Sequence, residues 1–168
     1  AVMLSGETAV GKHPEKVAIA VERICLAAER QPATRISRHR VNRRFQRVDE
    51  AISMSAMYAA NHLDIKAIVA LTESGSTTRW MSRVRSDIPI YAMTPYDATS
   101  RRVALYRGVY PVQFEILETD RDQLYAAIFQ TLLSKELVEI DDLVIFTKGD
   151  LKGVSGNTNA MKILQVKA

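Results

Sequence analysis

The chain has 168 residues, which is enough for one ordinary hydrophobic core and a small appendage. Hydrophobic residues make up 47% of it and charged residues 25%, values typical of a soluble globular protein. The one cysteine, Cys25, excludes an intramolecular disulfide framework, and no apolar run approaches the roughly 20 residues of a membrane span. We therefore expect a protein of the reducing cytoplasm without a membrane partner.

The first 31 residues predict one strand followed by one helix. A short apolar run over Ala1–Leu4 leads into a polar turn, and Pro14 then starts an amphipathic helix that extends to Arg30. Cys25 lies on the apolar stripe of this helix, so we expect a buried thiol. Because the chain has no initiator methionine and starts inside the predicted strand, we expect it to be a piece of a longer protein.

A basic segment follows the first helix. Seven arginines and no acidic residue lie between Arg30 and Arg47, although the formal net charge of the whole chain is only +4. Such a run is able to bind nucleic acid, but its one aromatic residue, Phe45, gives little support for base stacking. We interpret residues 32–47 as a solvated basic linker and expect no nucleic-acid partner.

From residue 48 the pattern alternates between helices and strands. The continuous apolar run Ile65–Leu71 is typical of a buried parallel strand. The alternation predicts an α/β fold, with a mostly parallel sheet and helices on both faces, and the last two strands should pair antiparallel at an edge. Helices are predicted over 48–61, 77–84, 97–106 and 120–135, and strands over 65–71, 90–93, 109–114, 143–147 and 161–166.

The segment Gly6–Lys12 satisfies the GxxxxGK part of a nucleotide-binding P-loop. The next residue is His13, where nucleotide-bound Mg²⁺ needs a Ser or Thr hydroxyl, and Pro14 removes a backbone N–H. We therefore predict no P-loop function. The three histidines have no metal-ligand spacing, so we also predict no metal site in this chain.

Ser5 and Glu7 leave the end of the predicted strand two residues apart. A hydroxyl and a carboxylate in this arrangement can hold a water molecule or relay a proton. The same residue types also organise turns and cap helices, and the sequence leaves both interpretations open.

A polar segment, Thr72–Thr77, joins the strand ending at Leu71 to the next helix. Hydroxyls, a glycine and free backbone N–H groups at the carboxyl edge of a sheet form an anion cradle, with Thr72, Ser74, Gly75, Ser76 and Thr77 as the candidate phosphate-binding residues. Ordinary N-capping by Ser76 or Thr77 is the alternative. Glu73 would repel a highly charged anion, so a monophosphate suits this segment better than a bisphosphate.

The connection Lys148–Thr158 contains three glycines and two lysines, and it is longer than a hairpin requires. This composition is typical of a loop that closes on a ligand, although a plain hairpin tip is the alternative. The candidate ligand-binding residues are Lys148, Gly153, Gly156 and Asn157.

The run Met3-Leu4-Ser5-Gly6-Glu7-Thr8, followed by Ala9, Gly11 and Pro14, resembles pyruvate kinase. The resemblance extends over the whole chain. It implies three parts: residues 1–31 as the last strand and helix of a (β/α)8 catalytic barrel, 32–47 as the linker, and 48–168 as a three-layer α/β/α regulatory domain. It also implies that Ser5 and Glu7 support the edge of the catalytic centre, while the ligands of Mg²⁺ and K⁺ belong to earlier barrel strands. We therefore expect the chain alone to be inactive.

The resemblance further implies a role in regulation and assembly. It places a phosphate of an allosteric activator in the 72–77 segment and the activator's sugar under the 148–158 connection. The chain is most similar to the bacterial form activated by nucleoside or sugar monophosphates, so the expected ligand is AMP or a sugar monophosphate. The parent is expected to be a homotetramer with a contact near residues 161–166. The alternative is a stand-alone, non-enzymatic α/β module that binds phosphorylated metabolites.

Overall fold

The computed structural model describes residues 2–31, 44–115, 120–149 and 157–167. The chain divides into two compact units, Ala1–Ser37 and Arg38–Ala168, and each is described by itself. The division falls within the predicted linker 32–47, of which residues 32–43 lie outside the described residues.

The first unit contains a short helix, α1 (Gly6–Ala9), and a long helix, α2 (Pro14–Glu29), which starts at a proline as predicted. The predicted strand over residues 1–4 is wrong for the described residues 2–4, which adopt no strand conformation. A strand requires backbone hydrogen bonds to a neighbouring strand, and none of the described strands pairs with these residues. The prediction of a buried Cys25 is also wrong: the side chain is partly exposed, and α2 has no buried residues within this unit.

The second unit is built on a five-stranded sheet in the order β3-β2-β1-β4-β5. Strands β1 to β4 are parallel, and β5 runs antiparallel to β4 at one edge, as predicted. The strands are β1 (Ile65–Leu71), β2 (Ile90–Thr94), β3 (Val109–Gln113), β4 (Leu143–Gly149) and β5 (Thr158–Gln165).

Four helices accompany the sheet within the described residues: α3 (Val48–His62), α4 (Ser76–Met81), α5 (Asp97–Val103) and α6 (Arg121–Ser134). Two of them end three residues earlier than predicted. Helix α4 ends at Met81, because Val84 N–H donates to the Met81 carbonyl in a tighter turn. Helix α5 ends at Val103 for the same reason, since Tyr106 N–H donates to the Val103 carbonyl. Helix α6 lies within one residue of the predicted range at each end, and it begins after Asp120 because the carboxylate of that residue caps it.

The helices cover both faces of the sheet, so the predicted three-layer α/β/α arrangement is confirmed. On one face α6 packs on alternate residues of the strands, with Ile128 and Leu132 fully buried. On the other face lie α3, α4 and α5, which contribute Met57, Met81 and Val103 to a second core cluster.

The strand order creates a switch point between β1 and β4. From β1 the chain proceeds outward through β2 and β3, and it then returns to the opposite side of β1 to form β4. In open α/β sheets the crevice outside the carboxyl ends of two such strands is the usual ligand site. The 72–77 segment follows β1 and the 148–158 connection follows β4, so both predicted binding segments leave the sheet at this crevice.

Candidate functional site at the switch point

The 72–77 segment has a fixed conformation that depends on Gly75. Its φ of 78° lies in the left-handed region, and its N–H donates to Thr72 Oγ1 over 2.8 Å. An ideal Cβ at this position would lie 2.7 Å from Val103 Cγ1 of α5. The segment therefore packs directly against α5, and a glycine is required both for the turn and for the close approach.

Helix α5 also binds the backbone of this segment through two side chains. Thr99 Oγ1 donates to the carbonyl of Glu73 over 2.6 Å, and Arg102 Nη1 donates to the carbonyl of Ser74 over 3.2 Å. Arg102 is exposed, so a guanidinium group stands beside the proposed anion cradle. Sequence reasoning missed Arg102, although its spacing of three from Thr99 places both on one face of α5.

The capping alternative for Ser76 and Thr77 is wrong. Gly75 is the N-cap residue of α4, and no side chain caps the helix. Thr78 Oγ1 instead donates to the Gly75 carbonyl over 3.0 Å. The first N–H groups of an α-helix have no intrahelical acceptor, so without a side-chain cap they need another partner.

The two predicted binding segments meet at a pair of buried hydroxyls. Thr77 Oγ1 shares a hydrogen bond with Thr158 Oγ1, which lies at the start of β5. An ideal Cβ at Gly149 would come within 2.6 Å of the Asn157 carbonyl oxygen, so the two ends of the 148–158 connection also approach each other closely. Lys148 and Asn157 are half-buried at these ends. The candidates Gly153 and Gly156 lie outside the described residues.

Two buried polar atoms near this crevice have no hydrogen-bond partner among the described residues, Thr147 Oγ1 and Asn157 Nδ2. Thr147 is only 1% exposed and lies in register with Ala70 of β1 and Met161 of β5. Met161 packs in the cluster under α3 and α4, so Thr147 shares that face of the sheet. Buried polar groups nearly always find a partner, so the lack of one among the described residues sets these two atoms apart.

A buried carboxylate behind the segment was not singled out as a site residue from the sequence. Asp49 is 1% exposed and lies in the first turn of α3. Arg47 grips it with two bonds, from Nε to Oδ1 (2.8 Å) and from Nη2 to Oδ2 (2.9 Å). Ser76 Oγ donates to the same Oδ2 over 3.3 Å, which links the carboxylate to the 72–77 segment. Burial raises the pKa of Asp49, but the bonds and charge of Arg47, with those from Glu50 N–H and Ser76, outweigh it and lower the pKa below its ordinary value.

In the first unit, Ser5 and Glu7 interact as a local pair. Ser5 Oγ donates to Glu7 Oε2 over 2.9 Å, and both residues are exposed. The pKa of Glu7 is lowered, mainly by a backbone hydrogen bond and further by Ser5. Ser5 occupies the N-cap position of α1, but its hydroxyl accepts no helix N–H and points its proton at the carboxylate instead. The hydrogen bond between Ser5 and Glu7 therefore forms without Ser5 acting as a side-chain cap of α1.

The GxxxxGK segment does not adopt a phosphate-binding loop. Residues 6–9 form α1, and the N–H groups of Thr8, Ala9 and Val10 already donate to the carbonyls of Ser5 and Gly6. A P-loop needs these groups directed at a phosphate. The prediction against a P-loop is therefore supported by the backbone itself.

The model of the pyruvate kinase alpha/beta domain matches residues 50–164, which include all but the last residue of the sheet, the 72–77 segment and most of α3. The chain belongs to the pyruvate kinase family. It is 46% identical to a pyruvate kinase of Buchnera aphidicola (strain Sg), over 99% of this chain and 34% of that protein. It is 45% identical to pyruvate kinase II of Salmonella typhimurium, over 99% of this chain and 35% of that protein.

A solved structure supports the same assignment. The fold is similar to a crystal structure of a pyruvate kinase from Cryptosporidium parvum, with a TM-score of 0.79 and 28% identity over 99% of this chain and 33% of that one. The chain therefore spans about a third of the length of the pyruvate kinases that it matches. In the part of the chain that the structure describes, no helix has the length and apolar character to cross a bilayer.

Proposed function

We propose that this chain is the regulatory and assembly part of a pyruvate kinase, whose whole protein transfers a phosphoryl group from phosphoenolpyruvate to ADP in the cytoplasm during glycolysis. The family membership and the identity of 45–46% to two proteins named pyruvate kinase support this proposal. Ser5 and Glu7 would support the edge of the catalytic centre as a preorganised hydroxyl–carboxylate pair.

The Mg²⁺ and K⁺ of the parent enzyme would be held by residues outside this chain. Among the described residues there is no group of three His, Cys, Asp or Glu side chains arranged to hold a metal ion. The part of the chain that the structure describes therefore offers no such ligand set, and no catalytic step is assigned to a metal here.

Within the parent, the switch-point crevice would bind a phosphorylated small-molecule effector, AMP or a sugar monophosphate. The observation that carries this proposal is the meeting of the 72–77 segment and the 148–158 connection at the Thr77–Thr158 hydrogen bond, outside the carboxyl ends of β1 and β4. The segment would supply hydroxyls and N–H groups to the phosphate, and Arg102 would supply the cation. The polar atoms of Thr147 and Asn157 would serve the remainder of the ligand.

The test of this proposal uses calorimetry with AMP and with a hexose monophosphate. An Arg102→Ala variant should bind roughly 10–100 times more weakly, since a hydrogen bond to a charged group contributes about 1.5–3 kcal/mol. The matched control is Arg101→Ala, because the neighbouring arginine points about 100° away around the same helix. Equal effects of the two variants, or no binding to the unmodified chain, would refute the assignment of the crevice.

The parent would also be a homotetramer to which this domain contributes a contact. Strand β5 is one of the two edge strands of the sheet among the described strands, and an unpaired edge is a template for pairing with another chain. Ile163 on β5 is 38% exposed, which supports a contact on this strand. Light scattering of the chain with and without an Ile163→Lys substitution tests this proposal: the substitution should lower the mass of the assembly.

A further inference from the structure

We propose that Asp49 limits the charge of the phosphate group that the 72–77 segment binds, so that the segment accepts monophosphate esters and disfavours diphosphates. The inference rests on the proposed effector function and concerns the same crevice. It assigns a specificity-determining role to a residue outside the segment, on a different helix.

The argument begins with distance and burial. Ser76 Oγ donates its one proton to Asp49 Oδ2 over 3.3 Å, so the carboxylate lies one hydrogen bond away from the 72–77 segment. A phosphate held by the other donors of the segment would come within about two hydrogen-bond lengths, or ~6 Å, of this carboxylate. Asp49 is only 1% exposed, so little water separates the two groups. Repulsion between like charges at this distance is substantial in such an environment, and it grows with each charge added to the ligand.

Arg47 keeps this repulsion from excluding phosphate altogether. Its guanidinium binds both carboxylate oxygens of Asp49, while its side chain is 55% exposed. The positive charge is therefore partly screened by solvent, whereas the negative charge is buried beside Ser76. The pair is neutral as a whole, but its negative member is the one bonded to the segment. A ligand of low charge is tolerated, and a more highly charged one is penalised.

A polar ligand in this crevice is supported by an observation that does not involve Asp49 or α4. Thr147 is 1% exposed on the same face of the sheet, and its hydroxyl has no partner among the described residues. The buried Nδ2 of Asn157, next to Thr158, has none either. One of these atoms belongs to a residue in register with Ala70, two residues before the 72–77 segment, and the other to the residue next to Thr158, so both flank the crevice where a polar molecule would bind.

The experiment compares AMP with ADP, which share a nucleoside and differ by one directly linked phosphate. The unmodified chain should bind AMP more tightly than ADP. An Asp49→Asn substitution keeps the shape and one acceptor oxygen but removes the charge, so affinity for ADP should rise about tenfold, or roughly 1.4 kcal/mol, and affinity for AMP about threefold. The preference for AMP should therefore shrink about threefold.

Two further variants separate charge from structure. Asp64→Asn makes the same charge change at an exposed residue just before β1, at the amino ends of the parallel strands and away from the crevice. Both affinities of this variant should stay within twofold of those of the unmodified chain. Arg47→Gln leaves the Asp49 charge uncompensated and should widen the preference for AMP. Melting temperatures of all variants report whether each one folds, and the Arg47 variant tests the proposal even when Asp49→Asn is unstable.

The outcomes distinguish this inference from the proposed function. The charge limit would be overturned if the ratio of AMP to ADP affinity were the same in the unmodified chain, Asp49→Asn and Arg47→Gln. The binding of AMP would still support the effector site in that case. The absence of any AMP binding to the unmodified chain would refute the proposed function and the inference together. A changed ratio in Asp64→Asn of the same size would also overturn the inference, because the effect would then come from net charge.

Discussion

The close approach of Gly75 to α5 allows the stability of the candidate site to be tested quantitatively. In a Gly75→Ala variant the left-handed φ of 78° costs about 1–2 kcal/mol for an L-residue. The new Cβ would also lie 2.7 Å from Val103 Cγ1, and overpacking of this kind costs about 1–3 kcal/mol. The reduced entropy of the unfolded chain offsets roughly 0.4–1 kcal/mol. We therefore expect Gly75→Ala to lower the free energy of unfolding by about 1–5 kcal/mol.

The matched control is Gly108→Ala. Gly108 has a similar φ of 69°, but an ideal Cβ there meets no atom within 4 Å. This variant should lose only the conformational part, about 1 kcal/mol. Urea unfolding followed by circular dichroism gives both values, and the difference between the two variants isolates the contact with Val103.

A double-mutant cycle completes the test. Val103→Ala removes the Cγ atoms that the new Cβ would meet, so combining it with Gly75→Ala should give a favourable coupling of about 1 kcal/mol or more. Equal destabilisation by Gly75→Ala and Gly108→Ala, or a coupling near zero, would refute the description of the 72–77 segment as packed directly on α5.

Further predictions concern buried polar groups and the first unit. Thr147→Val should stabilise the ligand-free chain by about 1 kcal/mol, because it removes a buried hydroxyl that has no partner among the described residues. Thr94→Val should destabilise the chain by a similar amount, since Thr94 Oγ1 accepts a hydrogen bond from Tyr96 N–H. Thermal unfolding of the two variants shows whether the stability changes in these opposite directions. Because the pKa of Asp49 is lower in the folded chain than in the unfolded one, its ionised form contributes stability that is complete above an unfolded pKa of about 3.9 and is lost as the pH falls through the folded pKa. The stability difference between the unmodified chain and Asp49→Asn, measured by urea unfolding, should therefore be constant at neutral pH and shrink below about pH 4, and an unchanged difference there would contradict the Arg47–Asp49 pairing. Lys12→Ala should leave any ATP affinity measured by calorimetry unaltered, and a loss of tight binding would contradict the backbone arrangement of α1. These 168 residues alone should form no pyruvate from phosphoenolpyruvate and ADP in a coupled assay, and turnover above background would contradict the location of the metal ligands outside the chain.

The second unit could be predicted well because its signals are local and repeated. A buried parallel strand such as Ile65–Leu71 is a continuous apolar run, and the predicted helix over 48–61 differs from the observed Val48–His62 by one residue. The ends of α4 and α5 were overextended, because tight turns follow helices without a change in residue type. The strand predicted over residues 1–4 is absent at the described residues 2–4 for a different reason: a strand is defined by its partner, and an apolar run by itself does not supply one.

The site was predictable only in part, because its members come from distant parts of the chain. The hydroxyl-rich segment Thr72–Thr77 stands out by composition and by its position after a strand. The contributions of Arg102, Asp49 and Thr158 depend on how α5, α3 and β5 are placed around the sheet, and the spacing of Arg102 from Thr99 shows a shared helix face but not what that face contacts. Asp49 in particular resembles an ordinary acidic residue in the first turn of a helix until its burial is seen.

The most direct measurement of the proposed function is the mapping of amide chemical shifts on the ¹⁵N-labelled chain as AMP or a hexose monophosphate is added. We expect saturable shifts confined to the carboxyl edge of β1 and β4, at residues 72–78, 102, 147–149 and 157–158. Amides at the opposite edge of the sheet, such as those of Asp64 and Gly108, should not move. Shifts that are absent, or that centre on another part of the chain, would contradict an effector site at the switch point.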